Sequence, residues 1–295
     1  MQSADFLSAV FFYLKEGENL NQNWIVENLN NAFSTWNGKL GELWGLVTTG
    51  PQTFKGGAVW SVMQTLHNGM VGIGYALVVL FFAISLCKNT MNFHELKRPE
   101  AAIHYLIRFV AAKALVGYGM DIMLNVFSIC NGIVTDMADS MGGISEAMVS
   151  LPAEMQTAIE NVGFLASIPL WLVTILGSLF ITVLSFVMIL TVYGRFFRLY
   201  MYTALAPLPL AAFAGESTQS VGISFLKSYV GVCLEGAVIV LACVIYSAFV
   251  GTPTVTGGEA TTIVWSYLAE TVFNMLVLVG LIKGSDRIIH EMMGL

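Results

Sequence analysis

Long apolar stretches recur along this 295-residue chain and alternate with short polar segments. A helix of about 20 apolar residues is long enough to cross the roughly 30 Å hydrocarbon core of a bilayer. The pattern predicts five membrane spans, at residues 68–87, 104–134, 161–194, 228–250 and 263–282. We therefore expect an all-α, polytopic membrane protein whose transmembrane domain covers residues 61–295.

The first 60 residues have a different pattern, which predicts amphipathic helices in an extracytoplasmic or interfacial region. From Asn23 to Val47 one apolar stripe recurs every three or four residues, at Ile25, Leu29, Phe33, Trp36, Leu40, Leu43 and Val47. This stripe lies either at the membrane interface or against the protein's own outer surface. A second, short helix is predicted at 6–14, on the membrane surface or against a neighbouring subunit. Because no Lys or Arg precedes it and no small-residue cleavage site follows, we do not take it for a signal peptide.

The basic residues near the spans predict the orientation of the chain. Lys and Arg cluster at 88–98, 195–198 and 283–287, whereas loops 135–160 and 251–262 contain neither. Basic residues that flank spans stay on the cytoplasmic side. The N-terminus is therefore predicted outside and the C-terminus inside.

Residues 199–215 are uncharged and contain Pro207 and Pro209. If this segment were a sixth span, the later basic clusters would lie outside, so five spans fit the charges better. Proline disfavours helical geometry in the residue before it, so Ala206 and Leu208 are expected to be non-helical. We predict a proline-broken, re-entrant or cytoplasmic hairpin buried among spans or subunits. A proline-kinked span is the alternative.

Composition excludes several functional classes. Only 11% of the residues are charged, 56% are apolar and the mean hydropathy is +0.74, so no large soluble domain is present. The net charge of −6 excludes a globally basic nucleic-acid surface. The four cysteines lie in apolar segments without a C-x-x-C pair and are interpreted as buried small side chains. The histidines are far apart and no catalytic motif occurs, so we expect no enzyme, no metal and no cofactor.

Ionisable and polar residues inside the predicted spans are candidates for the lumen or an interface, because they are costly there. Lys113 and Asp121 are two turns apart along one side of the second span. Glu235 and Glu270 each lie about seven residues into the fourth and fifth spans, and Asn274 follows Glu270 by one turn. Each requires another helix, another subunit or water. They either fix helix register, line a lumen, or couple proton or ion movement.

The broken segment supplies a second group of candidates, on the predicted cytoplasmic face. Arg195, Arg198 and Lys227 flank it, and Pro207 and Pro209 break it. The three basic residues either receive phosphates from a substrate or simply anchor the topology. The break itself lines a channel entrance or joins neighbouring subunits.

Residues 193–241, YGRFFRLYMYTALAPLPLAAFAGESTQSVGISFLKSYVGVCLEGAVIVL, carry a family resemblance. A span that ends in arginines, an A-P-L-P-L-A break, a Gly-containing polar patch and an F-L-K-x-Y step lead into another span. This order resembles the TrbL-type channel component of conjugative type IV secretion systems, especially in conjugative elements of Gram-positive bacteria. The likeness is looser outside 160–285. The short loop 135–160 departs from relatives that carry a large extracytoplasmic domain there.

The resemblance implies five spans, an extracytoplasmic N-terminus and a ring of identical subunits at the base of a translocation channel. It implies other secretion membrane subunits and ATPases as partners, lipid around the ring, and single-stranded DNA with an attached relaxase as cargo. The protein is then a non-enzymatic channel or scaffold subunit. The alternative is a secondary transporter with a solute site at 199–215 and ion coupling at Glu235 or Glu270. A single broken segment and an odd number of spans fit a transporter poorly.

Overall fold

The computed structural model describes residues 2–90, 99–140, 148–162, 164–249 and 260–294, and no strand occurs in these ranges. The helices are α1 Gln2–Thr48, α2 Ala58–Thr90, α3 Pro99–Gly117, α4 Gly119–Ser140, α5 Ala153–Glu160, α6 Phe164–Leu205, α7 Pro207–Ala211, α8 Gln219–Phe249 and α9 Ala260–Met293. Within these ranges, 3₁₀ turns lie at Phe54–Gly57 and Ala212–Ala214. The predicted all-α class is confirmed.

Four helices of the described chain are long and apolar enough to cross a membrane: Phe54–Lys88, Ile168–Leu205, Gln219–Ala248 and Thr262–Met293. The bent pair Ile103–Gly117 and Gly119–Ser140 gives a fifth candidate if it counts as one span. A multi-pass membrane protein is therefore confirmed. However, α6 does not end at the arginines as predicted, because it continues through Arg195 and Arg198 to Leu205.

The chain divides into two compact units. Unit 1 contains Met1–Trp44, Met141–Thr191 and Ala242–Lys283, and unit 2 contains Gly45–Ser140, Val192–Leu241 and Gly284–Leu295. The long helices α1, α6, α8 and α9 contribute residues to both units.

In unit 1, the apolar stripe of α1 forms part of the core. Ile25, Leu29, Trp36, Leu40 and Leu43 have no exposed surface, and Phe33 is 2% exposed. The ring of Phe33 packs edge-on against Tyr267 of α9 at 6.5 Å between centroids. The stripe therefore packs against the protein itself. The separate helix predicted at 6–14 is part of the continuous α1, and the side chains of 1–23 lie outside the described residues.

In unit 2, α2 and α3 pack together and enclose α7 and the second 3₁₀ turn. The rings of Phe82 and Phe109 lie 4.8 Å apart. The predicted span at 104–134 is not one continuous helix, because the helix breaks at Tyr118 and bends by 72° into α4. Gly117 and Gly119 flank the bend, and a Cβ at Gly117 would lie 2.8 Å from the Tyr75 hydroxyl.

The segment 199–215 is broken and buried, and its contacts trace its course through unit 2. The carbonyl oxygen of Thr203 lies 2.7 Å from Nδ1 of His67, and the Glu216 amide donates to Ser85 Oγ at 3.5 Å. His67 and Ser85 are about 27 Å apart along α2 at 1.5 Å per residue. The segment therefore runs along the length of α2, and the chain then reverses into α8, whose Phe225 and Tyr229 pack against Tyr202.

The proline geometry explains this course. Pro207 is the first residue of α7, where a missing N–H removes no intrahelical hydrogen bond. Ala206 keeps helical angles of φ −48° and ψ −39°, and Leu208 lies inside α7, so the expectation that both are non-helical was wrong. A Cβ at Gly74 of α2 would lie 2.9 Å from the Pro207 carbonyl oxygen, so glycine permits this close approach.

Candidate functional site

Arg195 of α6 is fully buried in unit 2. Its guanidinium donates to the carbonyl oxygens of Val47 and Val232 at 3.3 Å and of Cys233 at 3.1 Å. Its Cζ also lies 6.0 Å from the ring centroid of Phe127. These contacts join α6 to the C-terminal end of α1 and to α8. The N–H groups of Arg195 therefore donate to the protein's own backbone.

Arg198 lies one turn further along α6 and binds two acids. Its Nη2 donates to both carboxylate oxygens of Glu235 at 2.7 Å, and its Nη1 donates to Asp286. Ser285 of α9 donates to the same Glu235 carboxylate at 3.2 Å. Glu235 is 1% exposed. With Arg195, the cluster holds two cations and two anions, so its formal charges cancel.

This geometry changes the interpretation of the predicted cytoplasmic-face residues. Arg195 has no exposed surface and Arg198 is engaged by carboxylates, so neither presents a free guanidinium to a phosphate. Lys227 of α8 is exposed, Pro207 is buried and Pro209 is half-buried.

A polar groove lies along α4 in unit 2. A cavity of about 500 Å³ is bounded by the loop Gly50–Gln52 and by one side of α4, whose lining residues are Asp121, Leu124, Asn125, Phe127, Ser128 and Asn131. The loop is fixed because the Tyr200 hydroxyl donates to the Pro51 carbonyl oxygen at 2.8 Å. Asn131 donates to the Thr48 carbonyl oxygen, while its buried Oδ1 has no partner among the described residues.

Of the residues that line this groove, the sequence analysis singled out only Asp121. Asp121, Asn125 and Ser128 recur at intervals of four and three residues, the spacing of one helix face, and all three are exposed. Lys113 is exposed too, but it lies on α3 before the 72° bend. The prediction that Lys113 and Asp121 share one helix side was therefore wrong.

The two remaining intramembrane candidates lie in unit 1 on α9. Glu270 is exposed, whereas Asn274 is 8% exposed. Within the described residues Glu270 has no hydrogen bond and no ion pair, unlike Glu235. No group of three or more metal-ligating side chains occurs in that part of the chain either. All four cysteines are free thiols; Cys87 is exposed and the other three are buried.

Comparison with models of protein families identifies the family of this chain. A family model described as TrbL/VirB6 plasmid conjugal transfer like protein matches residues 36–207, more than half of the chain. The chain is a member of this family. The match starts in α1 and ends at Pro207, so it covers the α4 groove and both arginines of this TrbL/VirB6 protein.

The TrbL/VirB6 assignment confirms the resemblance and makes the protein a component of conjugal transfer. Most of the 193–241 stretch that carried the resemblance lies beyond the matched residues. Members of this family are structural components of secretion systems. Among curated proteins and solved structures, none matches the chain.

Proposed function

We propose that this TrbL/VirB6 protein is a non-enzymatic channel subunit of a conjugative type IV secretion machine. Several copies surround a conduit for single-stranded DNA with its attached protein. The polar groove of α4 is the observation that supports this proposal, because it lies on a helix that belongs to a candidate membrane span.

The exposed surface of α4 has two chemically different sides. Asp121, Asn125 and Ser128 are polar, while Ile129 and Ile133 are 69% and 46% exposed and apolar. Polar groups at membrane depth require water or another protein, whereas exposed isoleucines suit lipid. We assign the polar side to a wet lumen and the isoleucine side to lipid. One chain is too small to enclose a DNA strand, so the conduit requires a homo-oligomer.

The charge of the α4 groove favours the passage of a DNA strand over its tight binding. Asp121 repels a phosphate backbone, and Asn125 and Ser128 are neutral, so the groove would hold a DNA strand weakly. Among the basic candidate residues, Lys113 and Lys227 are exposed and can contact phosphates. The other secretion membrane subunits and the ATPases would supply the specific contacts and the energy for transport.

The outside N-terminus and inside C-terminus also remain our proposal. It rests on the basic clusters at 88–98, 195–198 and 283–287 and on the loops that lack basic residues. The contacts of Glu216 with Ser85 and Arg108 bring the start of α8 to the Lys88 end of α2, which we assign to the cytoplasm.

The transporter alternative lacks a supporting observation. Ala206, Leu210 and Ala211 at the break have no exposed surface. The break packs against α2 and α3, and it lines neither the α4 groove nor the groove between α1 and α6.

The test compares two adjacent positions of α4 in a Cys87→Ser background. We expect Ser128→Cys to react with a membrane-impermeant thiol reagent and, through a thiol-linked crosslinker, to form adducts with DNA during transfer. Ile129→Cys is the matched control, since it is exposed but faces lipid, and it should give neither product. Labelling of Ser128→Cys without a DNA adduct would favour a scaffold over a conduit. Equal labelling of both positions would overturn the assignment of the groove.

A further inference from the structure

Glu270 presents a carboxylate on an apolar surface of unit 1. It lies in the candidate span Thr262–Met293, and on the same helix Trp265, Phe273 and Leu276 are 56%, 59% and 50% exposed. A carboxylate surrounded by such side chains in a membrane is costly unless a donor or water covers it. Because the described residues offer it no partner, the partner must come from elsewhere.

A polar groove between α1 and α6 in the same unit offers donors. The cavity has a volume of about 410 Å³, and its lining residues are Trp24, Asn28, Asn31, Ala32, Thr35, Ile175, Ser178, Leu179 and Thr182. Asn28 donates to Ser178 Oγ at 3.1 Å, which links α1 and α6 at the groove. Asn31 is exposed at the groove, so its amide can donate outward. Leu176 and Leu179 are 47% and 57% exposed beside it.

The groove and Glu270 lie at similar depths along their helices. Phe33 of α1 lies between Asn31 and Thr35 in sequence, and its ring packs against Tyr267 of α9. Glu270 follows Tyr267 by three residues, about 4.5 Å along a helix. Because Asn31 precedes Phe33 by two residues, about 3 Å, Asn31 and Glu270 differ in depth by at most about 7.5 Å. Glu270 does not line the groove, so they are separate surfaces.

We propose that Glu270 of one copy docks into the groove of the next copy, where the Asn31 amide donates to its carboxylate. This inference rests on the homo-oligomer of the proposed function. Rotation about an axis along the membrane normal leaves depth unchanged, so two different patches at similar depth can meet in every subunit. Such a head-to-tail contact produces a closed ring when the rotation closes. It also covers the carboxylate with a donor away from water.

Cysteine crosslinking in membranes tests this contact. In the Cys87→Ser background, the double variant Asn31→Cys/Glu270→Cys should form an oxidant-dependent ladder of dimers and larger species on non-reducing gels. Each single variant should stay monomeric, because a head-to-tail contact never places the same residue opposite itself. Leu276 provides the depth control, since it is exposed on α9 about 9 Å beyond Glu270. The pair Asn31→Cys/Leu276→Cys should give no ladder.

Three outcomes would overturn the docking proposal: a monomeric Asn31→Cys/Glu270→Cys pair, dimers from a single variant, or a ladder from the Leu276 pair that equals that of the Glu270 pair. The mass of the unsubstituted protein in mild detergent separates this failure from a failure of the proposed function. An oligomer that forms without the Asn31–Glu270 crosslink would contradict only the docking contact. A monomer would also contradict the proposed homo-oligomeric channel.

Discussion

Glu235 and Glu270 occupy similar sequence surroundings but very different structural ones. Each is the acid of an apolar run, VGVCLEGAVIV for Glu235 and WSYLAETVFNMLVL for Glu270. In unit 2, Glu235 is 1% exposed and is bound by Arg198 and Ser285. In unit 1, Glu270 is exposed and without a partner in the described residues. An acid inside a span can therefore serve internal packing or an outward contact, and the neighbouring helices decide which.

The internal cluster around Glu235 fixes three helices to one another. Arg198 comes from α6, Glu235 from α8, and Ser285 with Asp286 from α9. A buried ion pair gives little net stability relative to a well-packed apolar replacement, but removing one partner is expensive. The cluster therefore specifies how α6, α8 and α9 fit in unit 2 more than it adds to stability.

Removal of Arg198 should produce the largest effect. Arg198→Ala leaves the carboxylate of Glu235 buried with Ser285 as its remaining donor, so we expect a loss of about 3–5 kcal/mol in the free energy of unfolding. Denaturation by SDS titration in mixed micelles measures it. The double variant Arg198→Ala/Glu235→Ala should recover part of the loss, because it removes the unpaired charge.

Arg287→Ala is the matched control for that loss. Arg287 is an arginine of unit 2 whose side chain is 85% exposed, and it pairs with Glu291 within α9. An exposed pair of this kind contributes about 0–1 kcal/mol. Equal losses for the Arg198 and Arg287 variants would show that the Glu235 cluster is not buried as described.

The packing around the cluster predicts a smaller effect at Gly236. A Cβ there would lie 2.8 Å from Nη1 of Arg195, whose guanidinium is held by three carbonyl oxygens. We expect Gly236→Ala to cost about 1–3 kcal/mol, the usual range for overpacking. Gly280→Ala on α9 has nothing within 4 Å of its Cβ and should be neutral or stabilising by up to about 1 kcal/mol. A neutral Gly236→Ala would mean that Arg195 moves freely.

The sequence predicted the fold class because span length and hydropathy are local properties. It also located both intramembrane acids and the buried stripe of α1. It did not distinguish Glu235 from Glu270, since their burial depends on Arg198, Ser285 and other residues distant along the chain. Nor did it show that Arg195 donates to backbone carbonyl oxygens inside the protein, because no pattern in 193–198 indicates a buried guanidinium.

The bend and the break were harder to predict, because each depends on close packing between elements. Tyr118 ends α3 where glycines allow Tyr75, His67 and Leu210 to approach. Pro207 starts a short helix because α2 and α3 enclose it. The prolines of 199–215 predicted a break in the helix, whereas the packing carries this segment along α2 before the chain reverses into α8.

Replacement of the two acids by glutamine should show the sharpest contrast, and the smallest effect of all is expected for Glu270→Gln. Glu235→Gln removes the charge that accepts from Arg198, so a loss of about 1.5–3 kcal/mol is expected, the range for hydrogen bonds to charged groups. Glu270→Gln in detergent-dissociated monomer should change the free energy of unfolding by less than about 0.5 kcal/mol, as for other surface substitutions. SDS titration of both variants side by side makes the comparison. If Glu270→Gln destabilised the monomer as much as Glu235→Gln, Glu270 would have an internal partner and could not serve as an outward contact.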